Sequence, residues 1–140
     1  MNAQYIAVAT SSGGREGHVR SPDGALDLPL SMPKELGGSG KPGTTNPEQL
    51  FAAGYAACFE NALLRAARER KVRLNSSSVT ASVGIGRRED GFFALEVTLA
   101  VSLPGVERAQ AEALARAAHE EICPYSRAVR GNVEVEVKVE

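Results

Sequence analysis

The most informative part of the chain is residues 45–59, with the sequence TNPEQLFAAGYAACF. Asn46 is a favoured helix N-cap, Pro47 suits the first helical position, and Glu48 places an acidic group where the helix dipole favours negative charge. The apolar residues that follow surround most of the helix circumference, which is typical of a helix buried in a core. The pattern predicts a central helix over residues 47–71, whose charged second half emerges into solvent.

The residues before this helix predict a small sheet and a loop. Residues 5–10 are apolar and β-prone, residues 17–20 begin a hairpin, and residues 26–30 alternate at period two. Glycine and proline turns separate these segments, so we expect a three-stranded β-meander. Residues 32–46 are rich in glycine and proline and predict a loop long enough to have a function.

The residues after the helix predict a hairpin, a second helix and a last strand. The predicted bounds are 75–87 and 92–103 for the hairpin, 106–122 for an amphipathic helix, and 133–140 for a strictly alternating strand. The order is therefore βββ-α-ββ-α-β. Antiparallel sheets around a buried central helix indicate an α+β fold, with one domain over residues 1–140.

Composition excludes several classes of protein. The formal net charge is −1, and the basic residues are scattered, so nucleic-acid binding is not expected. No signal-peptide pattern and no long apolar run are present, which predicts a cytoplasmic protein that does not enter a membrane. The 2 cysteines are too few for a secreted disulfide framework.

Cys58 and Cys123 are the residues best suited to chemistry. Cys58 has small apolar neighbours, and a free cysteine in such a position is often an inert core residue. Cys123 lies at a predicted helix end before Pro124, where a thiol has more freedom to move. In the cytosol such a pair is either inert or redox-active, and the residues alone leave both alternatives open.

Arg15 and Glu48 are candidates for supporting a reactive thiol. A thiolate needs a nearby cation or dipole to offset the cost of desolvating its charge. Arg15, in a glycine-rich turn, either supplies that cation or stays solvated, and Glu48 either stabilises its helix or orients an arginine through a bidentate pair. Glu48 and Cys58 lie about 15 Å apart along a straight helix, so a Glu48 that serves the Cys58 site does so from a second subunit.

The histidines His18 and His119 show no metal-binding pattern. Neither has a cysteine, histidine or acidic cluster at ligand spacing, so no metal site is predicted. The glycines at 37–40 follow no strand-to-helix pattern and precede no Lys-Ser or Lys-Thr, so no phosphate-binding loop is predicted either.

Residues 45–59, CPYS at 123–126 and RGN at 130–132 resemble motifs of the organic hydroperoxide resistance proteins, which belong to the wider OsmC family. GGR at 13–15 and ELGG at 35–38 extend the resemblance to essentially the whole chain. The resemblance implies an OsmC-like fold and an intertwined homodimer with two sites at the subunit interface. The distance between Glu48 and Cys58 agrees with that dimer.

The resemblance also implies a thiol-dependent peroxidase that reduces organic hydroperoxides to alcohols in defence against oxidative stress. It implies that Cys58 is the peroxidatic cysteine, Cys123 the resolving cysteine, Arg15 the activating arginine and Glu48 the orienting glutamate. The expected cycle passes through a Cys58 sulfenic acid and a Cys58–Cys123 disulfide. No bound cofactor is implied, and the implied reductant is a dihydrolipoyl group on a lipoylated protein, acting by thiol–disulfide exchange.

The aromatic neighbours of Cys58 predict the substrate preference. We expect Phe51, Tyr55 and Phe59 to line a pocket that favours an alkyl or fatty-acid hydroperoxide over hydrogen peroxide. Two alternatives remain. One is a peroxidase of the OsmC branch with a broader stress function, which the motifs at 45–59 and 123–126 disfavour. The other is a non-catalytic protein that binds apolar ligands and uses its cysteines structurally.

Overall fold

The computed structural model describes every residue, Met1–Glu140, and contains two compact units, Met1–Leu50 and Phe51–Glu140. The first consists mostly of short strands and loops, and the second contains most of the hydrophobic core. None of the helices combines the length and the apolar character that crossing a lipid bilayer requires. The expectation of one domain over residues 1–140 stays a prediction.

The N-terminal unit contains a three-stranded antiparallel sheet. Its strands pair in the order β1 (Thr10–Ser12), β2 (His18–Arg20) and β3 (Asp27–Pro29). The predicted meander is therefore confirmed, but the strand predicted at residues 5–10 is wrong. Only Thr10 of that segment joins the sheet, and Tyr5 is 84% exposed because no strand pairs with this part of the chain.

A 3-10 turn at Gly14–Glu16 connects β1 to β2 and carries Arg15. Gly17 closes this turn, and a Cβ atom there would lie 1.7 Å from the carbonyl oxygen of Ser12. Only glycine fits so close an approach of backbone to backbone. The turn that presents Arg15 is thus fixed by the glycines around it.

The glycine-rich loop leads from β3 to helix α1 (Pro47–Glu69). The Oδ1 atom of Asn46 accepts a hydrogen bond from the Gln49 amide at 2.8 Å, which confirms the predicted N-cap. The helix ends at Glu69 rather than at residue 71. Its first turn belongs to the N-terminal unit, and the rest belongs to the C-terminal unit.

The C-terminal unit contains the remaining elements in the predicted order, with one short helix added. They are β4 (Ser78–Arg87), β5 (Phe93–Ser102), α2 (Arg108–Ala117), α3 (Pro124–Val129) and β6 (Glu134–Val139). β4 and β5 form the predicted antiparallel hairpin. β6 pairs with β5 in parallel, so the expectation of purely antiparallel sheets is wrong here, because the helical connection returns the chain to the same end of the sheet.

One side of α1 forms the centre of the core. Tyr55, Phe59 and Leu63 have no exposed surface, and they pack in one cluster with residues of β5 and α2. The predicted burial of α1 therefore holds for this side only, since Ala53 and Ala57 are exposed. The charged second half emerges as expected on its outer side, while its alanines continue the core.

Candidate functional site

The two cysteines lie side by side in the C-terminal unit. Cys58 and Cys123 are 65 positions apart in the sequence, and their Sγ atoms are 3.5 Å apart. Both are free thiols, Cys58 half-buried and Cys123 fully buried. A disulfide has an S–S length of about 2.05 Å, so a short movement of the sulfurs converts this contact into a covalent bond.

Cys123 owes its position to an irregular stretch of helix. After α2 the chain makes a π-helical turn over Ala118–Ile122, and the Cys123 amide donates to the Ala118 carbonyl at 2.8 Å. Cys123 is then the N-cap of α3, with Pro124 at the first position and the Ser126 amide directed at its sulfur at 3.5 Å. π-helical turns occur often at functional sites. The predicted helix over 106–122 therefore changes type before it ends.

The surroundings of Cys58 do not by themselves favour a thiolate. Burial raises the pKa of the Cys58 thiol, and its hydrogen bond with Cys123 raises the pKa further. The backbone amide of Tyr125 opposes them by lowering the pKa. No cationic side chain is among the groups that shift this pKa. A cation that activates Cys58 therefore has to come from a group other than those that shift its pKa in the single chain.

Arg15 and Glu48 form a bidentate ion pair within the N-terminal unit. Nη1 and Nη2 of Arg15 donate to the two carboxylate oxygens of Glu48 at 2.8 and 2.6 Å. The hydrogen bonds of this pair raise the pKa of Arg15 and lower the pKa of Glu48, so both groups stay charged near neutral pH. The Arg15 side chain remains 31% exposed. The two hydrogen bonds hold the guanidinium of Arg15 in a fixed orientation.

The aromatic residues predicted to line a pocket are arranged differently from the prediction. Tyr55 and Phe59 have no exposed surface and belong to the core, so they do not present an accessible wall to a substrate. Phe51 is partly exposed and packs edge-on against Tyr55, with ring centroids 6.0 Å apart. Of the three, Phe51 stays a candidate for contact with substrate.

Tyr125 is a neighbour of the cysteines that sequence reasoning missed. Its side chain is 42% exposed, and its ring packs over Gly54, one helical turn before Cys58. A Cβ atom at Gly54 would lie 3.3 Å from the Tyr125 ring. The signal was available, because Tyr125 belongs to the CPYS motif and follows the resolving-cysteine candidate closely. Its exposed ring gives an aromatic surface close to Cys58.

The histidines have separate environments. His18 Nε2 lies 2.7 Å from the Asp27 carboxylate on the N-terminal sheet. His119 Nδ1 lies 2.9 Å from the hydroxyl of Ser126, close to the cysteines. No group of three or more histidine, cysteine, aspartate or glutamate side chains is arranged to hold a metal ion.

Comparison with known proteins gives consistent matches. Residues 38–138 match the model of the family described as OsmC-like protein. An organic hydroperoxide resistance protein of Xanthomonas axonopodis pv. citri is 51% identical over 132 residues, covering 94% of this chain and 91% of that protein.

Solved structures agree over the whole chain. An organic hydroperoxide resistance protein OsmC from Legionella pneumophila superposes with a TM-score of 0.92 at 49% identity, covering 99% of both chains. The organic hydroperoxide resistance protein OhrB of Bacillus subtilis superposes with a TM-score of 0.89 at 45% identity, covering 99% of this chain and 100% of that chain. The α+β fold expected from the sequence is confirmed by these matches.

Proposed function

The chain belongs to the OsmC-like family, and we propose that it is a cysteine-based peroxidase that reduces organic hydroperoxides to alcohols in defence against oxidative stress. The observation that carries the proposal is the 3.5 Å contact between two free thiols. Two reduced sulfurs within reach of each other suit a pair that cycles between thiols and a disulfide.

The proposed cycle has three balanced steps. The Cys58 thiolate attacks the peroxide, the O–O bond breaks, and the alkoxide leaves as the alcohol after taking a proton. The resulting Cys58 sulfenic acid reacts with the Cys123 thiol to give the disulfide and water. A dithiol then reduces the disulfide by exchange and is itself oxidised to a disulfide. The proposed dithiol is a dihydrolipoyl group of a lipoylated protein, and no bound cofactor takes part.

Arg15 is proposed as the cation that activates Cys58, with Glu48 holding its fork in place. Burial alone raises the pKa of Cys58, so a cation is needed to make the thiolate at neutral pH. Glu48 and Cys58 both lie on α1, about 15 Å apart along a straight helix. Arg15, fixed on Glu48, is therefore proposed to act on Cys58 of a second copy of the chain.

Exposed apolar surface supports a homodimer. The side of α1 that carries Ala53 and Ala57 is uncovered, and Leu64 on the same helix is 45% exposed. The unpaired N-terminal segment exposes Tyr5 and Ile6 at 84% and 73%. Burying such surface against a second copy is favourable by the hydrophobic effect.

The substrate is proposed to be an alkyl or fatty-acid hydroperoxide. Tyr125 supplies an accessible aromatic surface close to Cys58, Phe51 is proposed to extend it, and an alkyl chain gains burial energy there that hydrogen peroxide does not. The proposed compartment is the reducing cytoplasm, in which both thiols stay reduced until a peroxide arrives.

Turnover tests this function. Purified protein is given dihydrolipoamide and either tert-butyl hydroperoxide or hydrogen peroxide, and loss of peroxide is followed. We expect consumption of the organic peroxide to be faster and to stop in Cys58→Ser and Cys123→Ser. A protein that binds apolar ligands without turnover, and whose ligand binding survives Cys58→Ser, would contradict the proposal.

Subunit mixing tests the role of the second copy. Cys58→Ser keeps Arg15 and lacks the nucleophile, while Arg15→Ala keeps the nucleophile and lacks the cation. If Arg15 acts across the interface, mixing inactive Cys58→Ser with slow Arg15→Ala under exchange conditions restores one working site in each mixed dimer, and the rate rises. If Arg15 acts within its own chain, the rate of the mixture stays at that of its Arg15→Ala content.

A further inference from the structure

Three polar groups, two of them fully buried and the third partly buried, form a continuous chain of hydrogen bonds beside the cysteines. The Tyr55 hydroxyl lies 2.8 Å from Ser126 Oγ, and Ser126 Oγ lies 2.9 Å from His119 Nδ1. Tyr55 and Ser126 have no exposed surface. The cysteine cycle as described uses none of the three side chains.

The chain of hydrogen bonds runs parallel to the contact between the two sulfur atoms. Tyr55 and Cys58 lie three positions apart on α1, and Cys123 and Ser126 lie three positions apart at the start of α3, so each pair shares one side of its helix. The Tyr55–Ser126 hydrogen bond and the Cys58–Cys123 contact therefore connect the same two helices side by side. The Ser126 amide also points at Cys123 Sγ. Fixing Ser126 therefore holds the start of α3, which carries Cys123, against α1, which carries Cys58.

The donors and acceptors are satisfied in one direction only. When His119 is neutral with Nδ1 unprotonated, Tyr55 donates to Ser126 and Ser126 donates to His119. When Nδ1 is protonated it donates to Ser126, and within these three groups only one of the Ser126 and Tyr55 hydroxyl hydrogens can then find an acceptor, so the other is left unpaired. Leaving a buried donor unpaired is costly.

We propose that His119 is a positioning residue for disulfide formation: neutral His119 completes the Tyr55–Ser126–His119 chain that holds Cys123 against Cys58, and protonation of His119 releases this hold. The inference rests on the proposed function, because it concerns the second step of that cycle. In this step Cys123 sulfur attacks the sulfenic sulfur, the S–S bond forms, and the S–O bond breaks. The hydroxide leaves with the thiol proton as water, so no further oxidant is needed.

The groups around His119 favour its neutral form. Burial lowers the pKa of His119, Arg130 lowers the pKa further, and Glu120 opposes both. Arg130 also donates to the His119 carbonyl at 2.7 Å, which ties the π-helical turn to the end of α3. On its other side His119 lines a cavity of about 590 Å³, whose charged residues are Arg108, Glu112, Arg116, Glu120 and Lys138. The cavity gives protons a route to the ring.

The test separates the two steps of the cycle. Reduced protein receives one equivalent of tert-butyl hydroperoxide from about pH 5 to about pH 8, the range over which histidine titrates. Disulfide is followed by mass after rapid quenching, and sulfenic acid is followed by trapping in a Cys123→Ser background. A parallel arm forms the disulfide with diamide, a thiol oxidant that requires no peroxidase activity.

His119→Asn is the decisive variant, because its amide oxygen replaces Nδ1 as an acceptor and does not titrate. Disulfide formation in the wild type should equal that of His119→Asn near pH 8 and fall about tenfold below it near pH 5, which corresponds to about 1.4 kcal/mol for one lost buried hydrogen bond. Both proteins share the titration of the thiols, so their ratio isolates His119. Sulfenic acid formation should not differ.

Further variants give a loss and a control. His119→Leu removes the acceptor and should slow disulfide formation at every pH. His18→Asn, at the other histidine, should behave as the wild type. Equal pH profiles for wild type and His119→Asn, or wild-type disulfide rates in His119→Leu, would overturn the proposal in either arm. If the protein does not react with peroxide but disulfide formation with diamide depends on His119 as expected, the proposed peroxidase activity is refuted and the role of His119 stands.

Discussion

Replacing Arg15 with alanine is expected to slow the reaction of Cys58 with an organic hydroperoxide by between about tenfold and about a thousandfold. A thiol with an ordinary pKa of about 8.5 is only a few per cent thiolate at pH 7, and burial raises the pKa of Cys58. An opposite charge within about 4–6 Å lowers a pKa by about 1–3 units, and the thiolate fraction changes by the same powers of ten. Two hydrogen bonds to Glu48 fix the position of the Arg15 guanidinium. The substitution to alanine removes the positive charge of that guanidinium.

The assay is stopped-flow reaction of reduced protein with tert-butyl hydroperoxide as a function of pH, together with the ultraviolet absorbance of the thiolate. Arg15→Ala should shift the apparent pKa of Cys58 upward and recover activity at high pH. The Arg15–Glu48 pair is partly exposed, so the loss of stability should be only about 1 kcal/mol and unfolding does not explain the lost rate. Arg20→Ala, at an exposed arginine of the same sheet, is the matched control. An unchanged rate and an unchanged thiolate titration in Arg15→Ala would refute the reasoning.

Three further predictions concern stability and specificity. The pKa of Glu48 is lowered in the folded protein, so the extra stability of the wild type over Glu48→Gln, measured by urea unfolding, should be about 1 kcal/mol at neutral pH. It should be lost progressively as the pH falls below the ordinary range of a glutamate and through the lowered pKa of Glu48. Leu63→Ala should lose about 2–5 kcal/mol in the same assay, because Leu63 is fully buried. Gly54→Ala should displace the Tyr125 ring and change the ratio of the kcat/KM values for bulky and small hydroperoxides, with little change in the free energy of unfolding. An unchanged ratio would show that Tyr125 does not contact the substrate.

Local signals in the sequence predicted the elements that local physics controls. The start of α1 depends on Asn46 and Pro47, which act on their own helical turn, and it was predicted to the residue. The β4–β5 hairpin depends on a short turn and two alternating segments, and its ends were predicted closely. The alternation of β6 likewise appears as alternating burial in the structure.

Pairings between distant residues could not be predicted in the same way. Residues 5–10 have the composition of a strand whether or not a partner is present, and in the single chain most of them have none. The alternating pattern of β6 is the same for parallel and antiparallel pairing, so its direction follows only from the path of the chain. Tyr55 meets Ser126 across 71 positions, a distance over which one sequence contains no signal for a hydrogen bond.

Two of the three residues predicted to line a pocket, Tyr55 and Phe59, lie in the core for a reason visible in the helix period. Tyr55, Phe59 and Ala62 recur at the spacing of one helix face, and that face turns to the core. Cys58 lies at the edge of this face and is half-buried. Tyr55 and Phe59 were chosen because they are close to Cys58 in the sequence, but both are core residues. Tyr125 is distant from Cys58 in the sequence, and its ring is exposed.

Intact mass after a single addition of peroxide tests the central claim most directly. Reduced protein is mixed with one equivalent of tert-butyl hydroperoxide or hydrogen peroxide, quenched and weighed, with Cys58→Ser and Cys123→Ser alongside. The account predicts a rapid loss of about 2 mass units per chain with the organic peroxide, a slower loss with hydrogen peroxide, and no such loss in either variant. An unchanged mass in the wild type, or the same loss in Cys58→Ser, would contradict it.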